Sequence, residues 1–175
     1  MKKSTTVNLT GTALCIALGL ILPMFFHMFG AGPTFLPMHI PVLLCGFLFG
    51  WQYGAICGFI VPLLSSILTG MPPIFPVAPA MMLELCAYGA LVGIFYQKLR
   101  WNAYPALICA MIGGRIVSGA ANAIFMNMAS KPYGFAAFIS GAFVQAVPGI
   151  VIQILIIPVL VLALEKARLI NRQKA

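Results

Sequence analysis

The chain has 175 residues, of which 62% are hydrophobic and only 7% are charged, and its mean hydropathy is +1.07. Soluble domains carry roughly a quarter charged residues, so this composition excludes a soluble globular protein and predicts an integral membrane protein. Ten Lys and Arg residues against two Asp and Glu residues give a net charge of +8. The basic residues flank apolar runs, which indicates membrane orientation and gives no reason to expect a nucleic-acid partner.

Six apolar runs predict transmembrane helices near residues 8–28, 38–50, 53–69, 79–97, 104–127 and 139–165, because about 20 apolar residues cross the hydrocarbon layer. The second run is short, so we expect that helix to be tilted, broken or extended through its loop. The run after Lys2 and Lys3 lacks a small-residue cleavage site, and we interpret it as a retained helix. The predicted fold is an all-α integral membrane protein, a single compact six-helix bundle over residues 1–175.

Eight of the ten basic residues form three clusters, before the first helix, between the fourth and fifth, and after the sixth, whereas Lys131 lies alone in a predicted external loop. The clusters are Lys2 and Lys3, then Lys98 and Arg100, then Lys166, Arg168, Arg172 and Lys174. Positive charge accumulates on the cytoplasmic side of membrane proteins. Both termini are therefore predicted to be cytoplasmic. The predicted external loops, near 29–37, 70–79 and 128–138, are rich in Pro and Gly, and we expect them to cover the outer end of the bundle.

Small residues predict how the helices pack. Glycines at 46, 50, 54 and 58 recur every four residues, and Gly89 and Gly93 repeat the spacing. Such spacing lets helices approach closely in lipid, and we expect close packing within the chain. The five cysteines lie in apolar runs without metal-ligand spacing, so we interpret them as small buried residues and predict no disulfide framework, metal site or cofactor.

Polar side chains within the predicted helices indicate a binding site, because burying them in lipid is costly and they face the bundle interior or a cavity. Arg115, Ser118, Gly119 and Asn122 share one face of the fifth helix at i, i+3, i+4 and i+7. Gln145 and Gln153 lie in the sixth helix. We predict a substrate pocket in the outer half of the bundle, formed by His39, Glu84, Tyr88, Arg115, Asn122 and Gln145.

Two interpretations of the intramembrane charges, Glu84 and Arg115, remain open. They either form a buried ion pair that fixes the packing, or both line a cavity open to the outside. Their estimated depths differ by about 10 Å at a rise of roughly 1.5 Å per residue, which does not ensure direct pairing. If the two charges neutralise each other, a neutral or zwitterionic ring fits the pocket. If Arg115 is unpaired, a carboxylate fits.

The sequence contains no motif for catalysis, and a single intramembrane acid gives no acid–base pair, so no catalytic residue is predicted. A channel needs a continuous polar path, but the inner half of the predicted bundle is apolar. A stand-alone secondary transporter commonly shows paired repeats, and the two halves show no convincing repeat. The remaining function is substrate capture from outside without an energy source in the same chain.

Three segments resemble the substrate-binding (S) components of energy-coupling factor (ECF) vitamin importers. They are Ala13-x-x-x-Ala17, residues 36–58 (LPMHIPVLLCGFLFGWQYGAICG) and residues 69–93 (TGMPPIFPVAPAMMLELCAYGALVG). The resemblance covers nearly the whole chain. It implies six helices, a vitamin pocket on the extracellular side and a location in the cell membrane.

The resemblance also implies partners and a substrate class. The partners are a transmembrane coupling subunit, contacted through Ala13 and Ala17, and two ATP-binding subunits. The ligand is a small water-soluble vitamin or precursor, with vitamin B6 or hydroxymethylpyrimidine favoured. Pantothenate is the alternative ligand, and a stand-alone secondary transporter is the alternative of another class.

Overall fold

The computed structural model describes residues 5–28, 36–131, 134, 138–141 and 146–166, excepting the side chains of residues 27 and 28. Within these ranges the regular elements are helices, and no strand is present. The helices are α1 (Thr5–Met28), α2 (His39–Phe49), α3 (Trp51–Thr69), α4 (Val77–Gly93), α5 (Ala103–Met128) and α6 (Val147–Lys166). A π-helical turn, Ile94–Lys98, continues α4. The all-helical class predicted from the sequence is confirmed for the described residues.

Five of these helical segments are long and apolar enough to cross a membrane, and they belong to α1, α3, α4 with its π-helical turn, α5 and α6. The remaining helix, α2, has only 11 residues. It is about 16 Å long, roughly half the thickness of the hydrocarbon layer. The described residues therefore contain five candidate spans and one shorter apolar helix, and six complete crossings stay a prediction.

Helices α2 and α3 form a hairpin whose turn is Gly50. This residue has φ 96°, a conformation that glycine adopts without steric cost. Its amide donates to the carbonyl of Gly46 at 3.1 Å. Gly50 therefore shapes the turn, whereas the spacing of the glycines had suggested only a packing role.

The other glycines of this series bring α2 and α3 against α4. A Cβ built on Gly54 would overlap the backbone of Gly89, and a Cβ built on Gly89 would overlap the backbone of Gly54. Gly58 meets the backbone of Leu85 in the same way, and Gly93 meets that of Trp51. The prediction of close glycine packing within the chain is confirmed at these positions.

The core centres on α2, which is enclosed by the other helices. Val42, Leu43 and Phe47 are fully buried, and the Phe47 ring contacts Tyr96 edge to face at 4.9 Å between ring centroids. Helix α1 packs on α2 and α3, and α6 packs on α2 and α5. This arrangement surrounds α2, which is too short to span the hydrocarbon layer, with α1, α3, α4 and α6.

One end of the bundle, which we name the basic end, carries Lys98 and Arg100. They line a cavity of about 360 Å³ together with Asn8 of α1 and Trp51 of α3. The hydroxyl of Tyr96 donates to Oε2 of Glu165 at 3.2 Å, which places the last turns of α6 at the same end. The start of α1, the π-helical turn after α4 and the end of α6 therefore lie at the same end of the bundle. The positive-inside rule predicts that this end faces the cytoplasm.

The opposite end, which we name the His39 end, carries the connection between α3 and α4. Ser65 donates to the carbonyl of Met71 at 2.7 Å, and Ser66 donates to that of Pro72 at 2.6 Å. The ring of Phe75 contacts Phe125 of α5 edge to face at 6.4 Å. This connection is therefore held against both α3 and α5. Most of the other two predicted covering loops lies outside the described residues.

Candidate functional site

Glu84 of α4 lies at the centre of a buried group of polar side chains. Its Oε1 accepts a hydrogen bond from Nη1 of Arg115 at 2.9 Å, and its Oε2 accepts one from the hydroxyl of Ser118 at 2.8 Å. The exposed fractions of Glu84 and Arg115 are 6% and 7%. The two intramembrane charges therefore form a direct ion pair, since the long arginine side chain spans the difference in depth estimated from the sequence.

Ser118 and Asn122 extend this group along α5. The side-chain amide of Asn122 donates to the carbonyl of Ser118 at 2.9 Å and to its hydroxyl at 3.3 Å. Ser118 was recognised in the polar stripe of the sequence but was not included in the predicted pocket. Its position three residues after Arg115 was the signal that could have added it.

His39, the first residue of α2, completes the group from a third helix. Its Nε2 lies 3.5 Å from Oε1 of Glu84, but it makes no hydrogen bond there. Its ring contacts Tyr88 edge to face at 5.1 Å. The Tyr88 ring in turn packs on Gly114, where an added Cβ would lie 2.9 Å from the ring carbons. We name His39, Glu84, Tyr88, Arg115, Ser118 and Asn122 the polar cluster.

Several polar atoms in this region lack hydrogen-bond partners. Within the described part of the chain, eight buried side-chain nitrogen or oxygen atoms have none, and seven of them belong to His39, Tyr88, Arg115 and Gln153. Folded proteins satisfy most buried polar atoms, so such a concentration needs an explanation. A bound polar ligand would provide one.

Arg115 retains two donors for such a ligand. Nη1 is engaged by Glu84, whereas Nε and Nη2 have no partner. These two nitrogens share one edge of the planar guanidinium, which can donate two parallel hydrogen bonds. The ion pair therefore neutralises the charge of Glu84 and leaves an arginine edge for recognition.

Gln153 of α6 is a second buried polar residue that the predicted pocket did not include. It is fully buried, with 0% of its surface exposed, and both amide atoms lack a partner. The sequence did contain a signal for Gln153, because it is an isolated amide side chain within an apolar helix. Gln145, which was predicted to line the pocket, lies outside the described residues.

The interior changes from polar to apolar within one helical turn toward the basic end. His39, Tyr88, Arg115 and Gln153 each have an apolar residue four positions nearer the basic end on the same helix. These four residues are all buried, and they are Leu43, Val92, Met111 and Ile157 respectively. Residues four apart share a helix face. On the side of the basic end, the polar cluster is therefore bounded by buried apolar side chains.

Among the described residues, no three His, Cys, Asp or Glu side chains are grouped to hold a metal ion.

Ala13 and Ala17 lie away from this site. Both are exposed on α1, whereas Cys15 between them is buried. The buried face of α1 also includes Gly19, which fits against Val61 of α3. The Ala13 and Ala17 face is therefore open to lipid or to another protein.

In a comparison with protein families, the chain matches the ECF transporter substrate-specific component over residues 7–161. No curated protein matches the chain. No solved structure matches it. The matched range runs from the first turn of α1 into α6 and includes every residue of the polar cluster. Because this match covers most of the chain, the protein belongs to the family of substrate-specific components of ECF transporters.

Proposed function

We propose that this chain captures a small water-soluble vitamin or vitamin precursor at the His39 end of the bundle and presents it to an energy-coupling module. Family membership makes the chain a multi-pass membrane subunit that binds a transported substrate, and not an enzyme. The observation that carries the proposal is the concentration of unpartnered buried polar atoms in His39, Tyr88, Arg115 and Gln153. These atoms supply the hydrogen bonds that a polar ligand needs in an apolar surrounding.

The charges in the site favour vitamin B6 or hydroxymethylpyrimidine over pantothenate. Glu84 and Arg115 lie within hydrogen-bond distance, 2.9 Å apart, so their charges cancel. A bound carboxylate would add a negative charge to a buried and otherwise balanced site, which is costly without a further cation. A neutral or zwitterionic ring avoids this cost and still accepts from the free edge of Arg115.

We further propose that the His39 end faces the outside of the cell membrane and that the basic end and both termini face the cytoplasm. The support is the placement of Lys98 and Arg100 with the start of α1 at one end, which follows the positive-inside rule. The connection between α3 and α4, held by Ser65 and Ser66, then lies on the extracellular side.

The proposed partners are a transmembrane coupling subunit and two ATP-binding subunits. Family membership implies association with an energy-coupling module. The exposed Ala13 and Ala17 support a contact with the coupling subunit, since small side chains let a partner helix approach closely in lipid.

The test is to purify the chain alone and identify the bound small molecule by native mass spectrometry, followed by calorimetric titration with that compound. We expect one vitamin-sized molecule per chain. The Asn122→Ala variant should bind it about 1–3 kcal/mol more weakly, because the change disturbs the hydrogen-bonded face of the cluster. Gln97→Ala, which removes only a bond to the Phe47 carbonyl near the basic end, is the control. A folded protein that binds no vitamin would contradict the proposal.

A further inference from the structure

The cavity at the basic end lies at the opposite end of the bundle from the polar cluster. Its volume is about 360 Å³, which is within the range of small-molecule pockets. Among the described residues that line it, Lys98 and Arg100 are cationic and none is acidic. Lys98 makes no salt bridge with a described residue. The lining therefore carries positive charge, which favours an anionic ligand.

The start of α3 adds backbone donors to the same cavity. Trp51, Gln52 and Tyr53 line it and are the first three residues of α3. The first hydrogen bond of this helix runs from the Gly54 amide to the Gly50 carbonyl at 2.9 Å, so the three preceding amides have no partner within the helix. No side chain caps this start, and its first turn contains no acidic residue. Helix starts of this kind bind phosphate groups, and here two cations line the same cavity.

Asn8 of α1 requires a second kind of group from a ligand. It lines the cavity, and its Oδ1 is buried without a hydrogen-bond partner among the described residues. A carboxamide oxygen accepts hydrogen bonds and does not donate them, so a phosphate oxygen cannot satisfy it. A ligand that satisfies Asn8 as well as the cations carries a hydroxyl group beside its phosphate.

Two contacts fix the walls of the cavity. Nε2 of Gln97 donates to the carbonyl of Phe47 at 2.7 Å, which joins the π-helical turn to the end of α2. Gly93 lies so close to α3 that an added Cβ would overlap the backbone of Trp51. Packing therefore holds the turn that carries Lys98 beside the amides at the start of α3.

The surroundings of the cavity favour a lipid as the carrier of the phosphate. Trp51 is 46% exposed, and Leu99 and Trp101, the chain neighbours of Arg100, are 50% and 40% exposed. Exposed tryptophan is typical of the level where lipid headgroups meet the hydrocarbon layer. Basic pockets between transmembrane helices bind the headgroups of anionic lipids. A lipid can place its phosphate in the cavity and its acyl chains on the exposed apolar side chains beside it.

We propose that the basic-end cavity binds the phosphate group of an anionic membrane lipid with a hydroxylated headgroup, of the phosphatidylglycerol type. Lys98, Arg100 and the amides at the start of α3 bind the phosphate oxygens, and Asn8 accepts a hydrogen bond from a headgroup hydroxyl. A free phosphate ion presents the same oxygens, so the test distinguishes the two sources. The site is separate from the polar cluster, and its test is therefore independent of vitamin binding.

Native mass spectrometry of the purified full chain, titrated with single lipids in detergent, measures the dissociation constants. Phosphatidylglycerol is compared with phosphatidylethanol, an anionic phosphodiester without headgroup hydroxyls, and with zwitterionic phosphatidylcholine. We expect phosphatidylglycerol to bind about 5-fold more tightly than phosphatidylethanol, the effect of one hydrogen bond, and phosphatidylcholine to bind most weakly. An excess of inorganic phosphate should not displace phosphatidylglycerol.

Variants assign this preference to the cavity. Lys98→Gln should weaken phosphatidylglycerol binding about 5-fold, because it removes one cation beside the lipid phosphate. Lys131→Gln is the matched control, since it removes an exposed cation that follows the end of α5 away from the basic end, and it should leave the affinity unchanged. Asn8→Leu keeps the shape of the side chain and removes its amide, so phosphatidylglycerol and phosphatidylethanol should bind it equally. If Asn8→Leu does not fold, the two lipids on the unmodified protein still test the hydroxyl.

Four results overturn the proposal. Equal affinity for phosphatidylglycerol and phosphatidylcholine excludes recognition of an anionic headgroup. Equal losses in Lys98→Gln and Lys131→Gln show a general effect of charge and no site in the cavity. Equal affinity of the unmodified protein for phosphatidylglycerol and phosphatidylethanol excludes the hydroxylated headgroup and the role of Asn8. Displacement of phosphatidylglycerol by inorganic phosphate assigns the cavity to a free phosphate ion instead of a lipid.

Discussion

At the residue scale, Glu84 connects three helices. It lies on α4, pairs with Arg115 and Ser118 on α5, and lies 3.5 Å from His39 on α2. A buried carboxylate is tolerated only when its charge is compensated and its oxygens accept hydrogen bonds. Both oxygens of Glu84 meet this condition through neighbouring side chains. The ion pair therefore joins α4 to α5, and Nε and Nη2 of Arg115 have no hydrogen-bond partner.

Replacing Arg115 by Met should separate the role of its ion pair in folding from the role of its free donors in ligand binding. Arg115→Met leaves Glu84 buried without its cation, so we expect a loss of about 3–5 kcal/mol in unfolding free energy, seen as a lower unfolding midpoint in detergent. Adding Glu84→Gln removes the uncompensated charge and should restore folding.

Calorimetry on the folded double variant then tests the role in binding. We expect weak or absent ligand binding, because the Nε and Nη2 donors are gone. Wild-type affinity in that double variant would remove both residues from the site. An unchanged midpoint in Arg115→Met alone would show that the pair does not stabilise the fold.

At the element scale, glycine residues let the backbones of α3 and α4 come into direct contact. Gly54 and Gly89 face each other so closely that neither position has room for a Cβ. Packing of this kind brings the backbone of α4 near the hairpin of α2 and α3. It thereby sets the distance between His39 at the start of α2 and Tyr88 on α4.

The Gly54→Ala variant tests this packing. In an ordinary helix, Gly to Ala stabilises by about 0.5–1 kcal/mol. Here the added methyl group meets the backbone of Gly89, so we expect overpacking to cost about 1–3 kcal/mol instead. Gly141→Ala is the control, because an added Cβ there meets none of the described residues within 4 Å. Equal unfolding midpoints for the two variants would contradict the close approach of α3 and α4.

Helix α1 provides a second prediction at this scale. Ala13→Trp should abolish assembly with the coupling module while leaving ligand binding to the isolated chain intact, because Ala13 lies on the exposed face of α1. Ile112→Trp is the control, since Ile112 is 56% exposed on α5, whereas α1 packs mainly on α2 and α3. Co-purification with the module and calorimetry give the two measurements. A joint loss of assembly and ligand binding would assign Ala13 to internal packing.

The sequence could predict the helices and their glycine contacts, because apolar length, flanking charge and small-residue spacing are local signals. It could not decide whether Glu84 and Arg115 meet, since the rise per residue gives the height of a Cα atom and not the reach of a long side chain. The contact of His39 with Tyr88 joins two helices far apart in the chain and has no local signal. Gln153 did have one, an isolated amide in an apolar helix, but the predicted pocket omitted it.

At the scale of the whole molecule, polar groups lie at both ends and apolar groups lie between them. Lys98 and Arg100 line the cavity at the basic end, and the polar cluster lies toward the His39 end. Leu43, Val92, Met111 and Ile157 are buried between the two regions. The described interior thus has a polar candidate site bounded by buried apolar side chains, an arrangement that suits capture and opposes free passage of a polar solute.

Uptake into proteoliposomes tests this account most directly. The radiolabelled vitamin found to co-purify with the chain is offered to liposomes that contain ATP and either this chain alone or the chain with its coupling subunit and two ATP-binding subunits. We predict vitamin binding without accumulation or ATP hydrolysis for the chain alone, and ATP-dependent accumulation with the complete module. Accumulation by the chain alone would contradict the account and support a stand-alone secondary transporter.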